Sequence, residues 1–597
     1  MRQRKLKPHT RFVLLFACLA ANISISSLPA VERCVVSAQP ALSRQSPNMK
    51  EVYERAEQFL PAQASKLVRN LTIEPVWIDG TDRFIYQRQL PNQGKEFVLV
   101  DPERNTTQPA FDHARLAAAL ATPQGGKAYT ATTLPFERVT LSEKNGALEF
   151  TLGGKPWRCA LADYKCGPGV EKDPGELPSP DGKWMAFVRD HNLWVRSVSD
   201  GRERALTTDG EEAYSYGTAF TGIDLISVRR FNRKIQAQAA WSPDSTRLFT
   251  YRMDLRNVGK QHLLQSIPDA GDKVGEPRRP IIHSWSYAMP GDGAVPMMDL
   301  MVIDVVTGRR IDLRTPRLPQ IGPVMQFPPA GLFASRNAFW HPDGTMVYVV
   351  EITRDQKTKR LWAANPSTGE PRLLIEEHSK TWVESPVPPR ILAARRQILW
   401  WSDRSGWGHM YLHDLESGKL ARQVTSGNWL VREILVSDDK HVYIAGGGRE
   451  ADREPYFRHI YRVDLDTEAV TLLTPEEADH EAAAADQFAF ERFSPSGRYF
   501  IDAHSRVDQP SVSALRDCDG KIIRELERAD ISEYLKIGYR PPKRFSVKAS
   551  DGKTDIYGVL MYPTNFDPAR KYPVIDAIYG GPQSIKAPKR FGCVPPV

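Results

Sequence analysis

The chain has 597 residues, 41% hydrophobic and 25% charged, a globular balance at a length beyond what a single core usually spans. Of its formal net charge of +8, five positive charges come from Arg2, Arg4, Lys5, Lys7 and Arg11, leaving about +3 for everything else. That remainder is too small for a nucleic-acid surface, and 46 prolines with 40 glycines exclude an architecture of long helices.

The opening segment reads as targeting. Basic MRQRKLKPHTR precedes the apolar run FVLLFACLAANISISSL, and small residues follow in PAVERCVVSAQPA. This is the order of a secretory signal peptide over residues 1–38, with cleavage after Ala30 or near Ala38. A membrane anchor is the competing reading. The run is shorter than the roughly 20 residues of a spanning helix, and Asn22 and several serines dilute it. The sequence therefore predicts an exported chain, periplasmic or extracellular, with no membrane span after cleavage.

Residues 45–75 contain MKEVYERAEQFLPAQASKLVRNL, where Val52, Ala56, Phe59 and Leu60 recur at helical spacing. A short helical segment is expected there. From 76 to 540 the texture changes to short strands such as KEFVLVDPERN and KWMAFVRDHNLWVRSV. Each alternates apolar and polar residues and is bounded by Gly, Pro, Asp or Asn.

A degenerate repeat runs through this region: Ser179-Pro180-Asp181-Gly182, Trp241-Ser242-Pro243-Asp244, Trp340-His341-Pro342-Asp343-Gly344 and Phe493-Ser494-Pro495-Ser496-Gly497. Proline sets φ at the turn, and Asp and Gly accept the conformations beyond it. A second marker closes several units: Leu206-Thr207-Thr208, Val424-Thr425 and Leu472-Leu473-Thr474. Recurrence of a tight hairpin with a closing marker predicts an all-β fold, a seven- or eight-bladed β-propeller with blades of roughly 40–45 residues. A set of β-sandwiches with ordinary turns is the alternative. Residues 255–300 and 316–337 are the candidate inserts.

Of six cysteines, Cys159 and Cys166 enclose a short loop and are a candidate disulfide in an exported chain; two unpaired thiols are the alternative. Cys518 and Cys593 have no evident partner. The spacings are not those of a zinc site, and neither a metal nor a cofactor is expected. Asn70 and Asn105 head Asn-x-Ser/Thr sequons, which matter only in a glycosylating host. After Tyr539 a new domain opens over 541–597, and the apolar run Val574–Ile578 is expected to be a buried parallel strand. The closing SIKAPKRFGCVPPV reads as a frayed tail, so residues 545–597 are expected to be loosely held.

Ser402-Asp403-Arg404-Ser405-Gly406-Trp407-Gly408-His409-Met410-Tyr411-Leu412 with Thr425-Ser426-Gly427-Asn428-Trp429 resembles a blade of the dipeptidyl peptidase IV branch of the prolyl oligopeptidase family. The Arg458–Val463 strand, Ala549-Ser550-Asp551-Gly552 and Tyr572-Pro573-Val574 through Tyr579-Gly580-Gly581-Pro582 carry the same resemblance. It covers residues 45 to 583 and implies that the propeller precedes an α/β-hydrolase domain of a serine peptidase acting on peptide N-termini. Members often form homodimers. Residues 541–597 would be the first strands of that hydrolase domain.

Acyl transfer at a peptide needs a nucleophile, a base, a group orienting the base, and an oxyanion hole. No Gly-x-Ser-x-Gly elbow occurs in the 597 residues, and no histidine follows His504. The resemblance implies that the elbow, acid and base lie beyond Val597, so the chain is expected to be truncated before its triad and inactive alone. It also matches Tyr579 to the tyrosine that helps form the family's oxyanion hole; packing at a strand end is the competing role.

The family holds the substrate's amino terminus with two adjacent glutamates. Glu211-Glu212 is the candidate pair, although it follows Asp209-Gly210 as a solvated turn would. Arg229-Arg230 stands closer to Trp241, where the family's pair would be. The expected partner is a peptide, as substrate or ligand. A non-enzymatic peptide- or protein-binding propeller is the second reading.

Overall fold

Short strands that alternate in polarity must pair to bury their apolar faces, and here they do so locally, each with its neighbour in sequence. A computed structural model describes residues 48–121, 128–142, 146–171, 173–218, 228, 234, 236–267, 279–319, 336–482, 493–580 and 585–592. The chain divides into two units, residues 1–57 and 58–597.

In the first unit the described part is α1 (Met49–Glu57), which has no buried residue. The helix expected across 45–75 stops before Pro61. Leu60 is extended (φ −65°, ψ 147°), the conformation favoured before proline. In the second unit, α2 (Pro61–Ala64) and a tight turn over Ser65–Leu67 follow, and Val68 is extended again.

Among the described residues eight antiparallel sheets then succeed one another in chain order, over 76–109, 139–168, 177–205, 214–319, 338–378, 390–423, 430–472 and 479–528. Seven have four strands. They are the blades of an eight-bladed β-propeller. The fourth has six because its first and last strands are each split: Tyr214–Tyr216 and Ala239–Trp241 both pair with Arg247–Asp254, and Arg310–Asp312 and Leu318–Pro319 both pair with Met297–Asp304. The chain leaves and returns at one point, where Gln238 N donates to Gly217 O at 2.8 Å. The first expected insert contains a two-stranded hairpin, Lys260–Gln265 with Ile281–Ser286. Most of the second, 320–335, lies outside the described residues.

The repeated turn residues have two jobs. Within a turn, Ser242 Oγ donates to Asp244 Oδ1 at 2.5 Å and accepts from Arg247 N at 2.9 Å; Ser179, Asp181 and Trp184 repeat this at 2.7 and 3.0 Å. Between blades, Trp241 Nε1 donates to Leu177 O at 3.1 Å, and Trp340 Nε1 donates to Ala240 O at 2.9 Å. Each tryptophan thus ties its own blade to the preceding one. The closing threonines also share one role. The hydroxyls of Thr207, Thr425 and Thr474 accept the backbone N–H of Leu193, Met410 and Ile460 at 3.0, 3.0 and 2.9 Å.

Among the described residues no strand is shared between the first and last blades, so mainly side chains close the ring. Trp77, Phe84 and Val98 pack with Ile501, Ala503 and Leu515. Glu527 accepts from Tyr86 Oη at 2.7 Å and from Arg88 Nε at 2.5 Å. Arg69 and Asp530, before the first blade and after the last, exchange backbone hydrogen bonds at 3.0 and 2.9 Å.

Cys159 and Cys166 are direct cross-strand partners in the second blade and form a disulfide. Cys159 is fully buried in the core that covers α3 (His113–Ala121). Cys518 is a free thiol; Cys593 lies outside the described residues, as do residues 1–38.

After α4 (Ser532–Lys536), Lys543–Lys548 and Asp555–Leu560 pair as a hairpin. Val574–Ile578 is not the buried strand expected. It has no ladder partner among the described residues, and Val574, Ile575 and Ile578 are 82%, 92% and 76% exposed. A parallel strand exists only through neighbours on either side. The tail also departs from expectation: Phe591 is buried with Ala64, Val68 and Tyr534, because an aromatic side chain gains more from an apolar recess than a polar tail does from water.

Candidate functional site

Tyr579 lies in the irregular stretch after the hairpin and is 56% exposed. Among the described residues its hydroxyl has no hydrogen-bond partner. Gly581 and Pro582 lie outside them. Glu211 and Glu212 occupy an exposed tight turn in which Glu211 and Tyr214 exchange backbone hydrogen bonds at 3.1 and 2.9 Å. Gly210 is pressed so close to His191 that a Cβ would stand 2.2 Å from its carbonyl oxygen. Neither carboxylate is hydrogen-bonded or ion-paired among the described residues, and Arg229-Arg230 lies outside them. Tyr579 and the glutamates are therefore placed on separate, solvent-facing segments.

The contacts made by the Ser402–Trp429 motif are turn and packing contacts. Asp403–Gly406 forms the hairpin turn, Gly406 N donating to Asp403 O at 2.8 Å. Gly408 is packed so tightly that a Cβ would stand 2.3 Å from the Trp401 ring. His409 bridges Thr425 Oγ1 at 3.0 Å and Gly427 O at 2.9 Å, edge-on to Trp429. Trp401 Nε1 donates to Val431 O in the next blade at 2.8 Å. Beneath this turn lies a buried cation: Lys359 Nζ donates to Trp401 O at 2.9 Å, 4.3 Å from the centre of the Trp400 ring. Burial pushes its pKa down against the attraction of Glu377.

The densest polar grouping is in the eighth blade. His480 and His504 oppose each other on adjacent strands, and Asp502 shares their face, two residues from His504. Asp502 accepts from His480 Nδ1 at 3.0 Å, His504 Nδ1 at 3.3 Å and Arg516 Nε at 3.0 Å. Burial opposes ionisation, yet the charge of His480 and these donors hold the Asp502 carboxyl far below the usual range. The three donors His480, Asp502 and His504 lie within 4.8 Å of one another, a spacing a metal could use. Arg516, which also reaches Glu476 at 2.7 Å, already supplies the cation, so the grouping reads as an internal ion network.

His459 stacks beside it, 5.2 Å from His480 between ring centres, with Nδ1 donating to Thr474 O at 2.8 Å. Burial, then the charge of His480, push its pKa down to about 4. Sequence reasoning missed this network. The Asp502-x-His504 alternation was its only local signal, and His480 and Arg516 join it solely through sheet pairing.

The geometry is that of a propeller with its distinguishing motifs used for packing, and the comparisons agree. The family model described as the dipeptidyl peptidase IV (DPP IV) N-terminal region matches residues 175–511. The chain is 27% identical over 268 residues to dipeptidyl peptidase 4 of Arthroderma otae, covering 44% of this chain and 33% of that protein. It is 25% identical over 444 residues to a probable dipeptidyl-aminopeptidase B of Emericella nidulans, covering 70% and 45%. These matches span less than half the length of either curated relative. Among solved structures, a Bacteroides ovatus protein described as a putative dipeptidyl aminopeptidase IV aligns with a TM-score of 0.64 at 23% identity, covering 90% of this chain and 71% of that one. Porphyromonas gingivalis dipeptidyl peptidase 4 aligns at 0.62 and 18%, with the same coverage. At these identities the structural likeness speaks for the fold alone, but the family model spans more than half of the chain: this chain belongs to the family of the dipeptidyl peptidase IV N-terminal region.

Proposed function

We propose that this is an exported protein of the serine-peptidase lineage whose propeller engages peptides, and that the 597-residue polypeptide does not cleave them by itself. The observation that carries this reading is the family match over residues 175–511 in a chain that contains no Gly-x-Ser-x-Gly elbow and no histidine after His504. Without a nucleophile and its base, Tyr579 can donate to an oxyanion that never forms. Export rests on the order of the first 38 residues; among the described residues no helix is long and apolar enough to cross a membrane. The test is a panel of fluorogenic dipeptide amides with the purified chain. No release above buffer is expected, and release that copurifies with the chain overturns the reading.

The second reading, a non-enzymatic binding propeller, is favoured by the side-chain closure of the ring between residues 76–109 and 479–528, whose apolar cluster contains, among the described residues, none from 541–597. Calorimetric titration with the same dipeptides and with longer peptides separates the two: binding of dipeptides supports the peptidase lineage, and binding of longer segments alone supports the second reading.

A further inference from the structure

We propose that the edge of the seventh and eighth blades carries a recognition notch for a basic–aromatic peptide segment, Lys-Arg-Phe in type, and that residues 589–591 occupy it in cis. The notch is built from two acidic seats and one apolar recess. Lys589 Nζ pairs with Glu454, whose side chain is 8% exposed and also accepts from Arg544 Nη1 at 3.2 Å. The same ammonium stands 4.8 Å from the centre of the Tyr456 ring and 5.9 Å from that of Tyr557, a cage suited to a cation. Arg590 Nη1 lies 2.8 Å from Glu481 Oε2 and 3.9 Å from Asp479 Oδ2. Phe591 is 6% exposed and meets Tyr539 edge-on with ring centres 5.9 Å apart. Its N–H donates to Ser505 Oγ at 3.3 Å.

Three consecutive side chains therefore each have a separate receptor. Among the described residues, no backbone–backbone hydrogen bond joins 589–591 to the rest of the chain. Recognition is by side chains, and side chains of that order on another polypeptide present the same groups. Glu454 and Asp479 are almost fully buried with residues 589–591 in place, and each also keeps a second cation, Arg544 beside Glu454 and Arg458 beside Asp479. Lys589 and Arg590 add a further cation to each acidic seat and Phe591 fills the recess, so the notch favours an occupied state, in cis or in trans. A tethered segment acts at an effective concentration in the millimolar range, so a trans peptide competes poorly until the tail is released. The inference is independent of whether the chain hydrolyses peptides.

The test uses the full chain and a fluorescein-labelled peptide, Lys-Ala-Pro-Lys-Arg-Phe-Gly. In anisotropy titrations, a variant carrying Lys589→Ala, Arg590→Ala and Phe591→Ala is expected to bind the peptide at least tenfold more tightly than the unaltered chain. Adding Glu454→Gln and Glu481→Gln is expected to abolish that binding. A triple variant that melts as the parent does but binds no peptide overturns the proposal, as does binding that survives both glutamine substitutions. Should the triple variant not fold, the double variant Lys589→Ala with Arg590→Ala decides: it is expected to bind the labelled peptide more tightly than the unaltered chain, and equal binding overturns the proposal.

Discussion

Asp82 in the first blade accepts from Ser496 Oγ in the last at 2.6 Å, across 414 residues of sequence. Ser496 stands where the other turns of this repeat carry aspartate, and Asp82 supplies the missing carboxylate from the opposite end of the chain. It also accepts from Ser496 N at 3.1 Å and Arg498 Nη2 at 2.8 Å. The turn that elsewhere draws its carboxylate from its own residues is here the clasp of the ring.

Asp82→Ala removes the shared acceptor of these donors at a seam held mainly by side chains. A loss of about 2 kcal/mol is expected, read as a lower thermal midpoint. Hydrogen exchange should rise in the turn at 493–498 and the first blade, and stay unchanged in the blade at 390–423. Equal protection in parent and variant would show that the clasp is dispensable.

His459 makes stability depend on pH. Its folded pKa is pushed down to about 4 from an ordinary value near 6.5. Between these values the unfolded chain binds a proton that the folded chain does not. Stability is therefore present above about pH 6.5 and is lost as pH falls toward 4, by up to about 3 kcal/mol. Urea melts of the parent across this window should show the loss, and His459→Gln should flatten it. An identical slope in the variant would assign the loss to other groups.

Gly408→Ala places a methyl 2.3 Å from the Trp401 ring and 2.6 Å from Leu430 Cδ1. The core around these residues is buried on all sides, so overpacking is expected to cost about 3 kcal/mol. The readout is the thermal midpoint together with Trp fluorescence. Gly497→Ala, which meets nothing within 4 Å, bears only the strain of its positive φ and should cost about 1 kcal/mol.

Removing the disulfide by Cys159→Ala with Cys166→Ser opens a short loop, separation 7 in sequence. Chain-entropy arguments give a loss of about 2 kcal/mol. A reductant should lower the thermal midpoint of the parent and leave that of the variant unmoved.

Much of the fold was legible because it is local. Hairpins of period-two strands, the Ser-Pro-Asp turn and the closing threonine each act within one blade or between neighbours, so 76–540 read as a propeller from pattern alone. The motif at 402–429 was legible for the same reason, since it identifies the family through turn and packing residues. Blade number was not legible: the first strand of the fourth blade is cut in two by an excursion after Gly217, and only pairing along Arg247–Asp254 reunites the halves. Tyr579 and Glu211-Glu212 were found as motifs, yet a motif carries no information on convergence.

The sequence by itself determined the all-β repeat, the family, and the absence of a nucleophile elbow within these 597 residues. Tertiary structure alone decided how the ring closes through Asp82 and Ser496, how His459, His480, Asp502 and Arg516 gather in one blade, and where Lys589-Arg590-Phe591 comes to rest. The physical reason is range. Turn chemistry and strand period are settled among neighbours in sequence, whereas a buried charge or an aromatic ring is placed by partners that only the folded chain brings within reach.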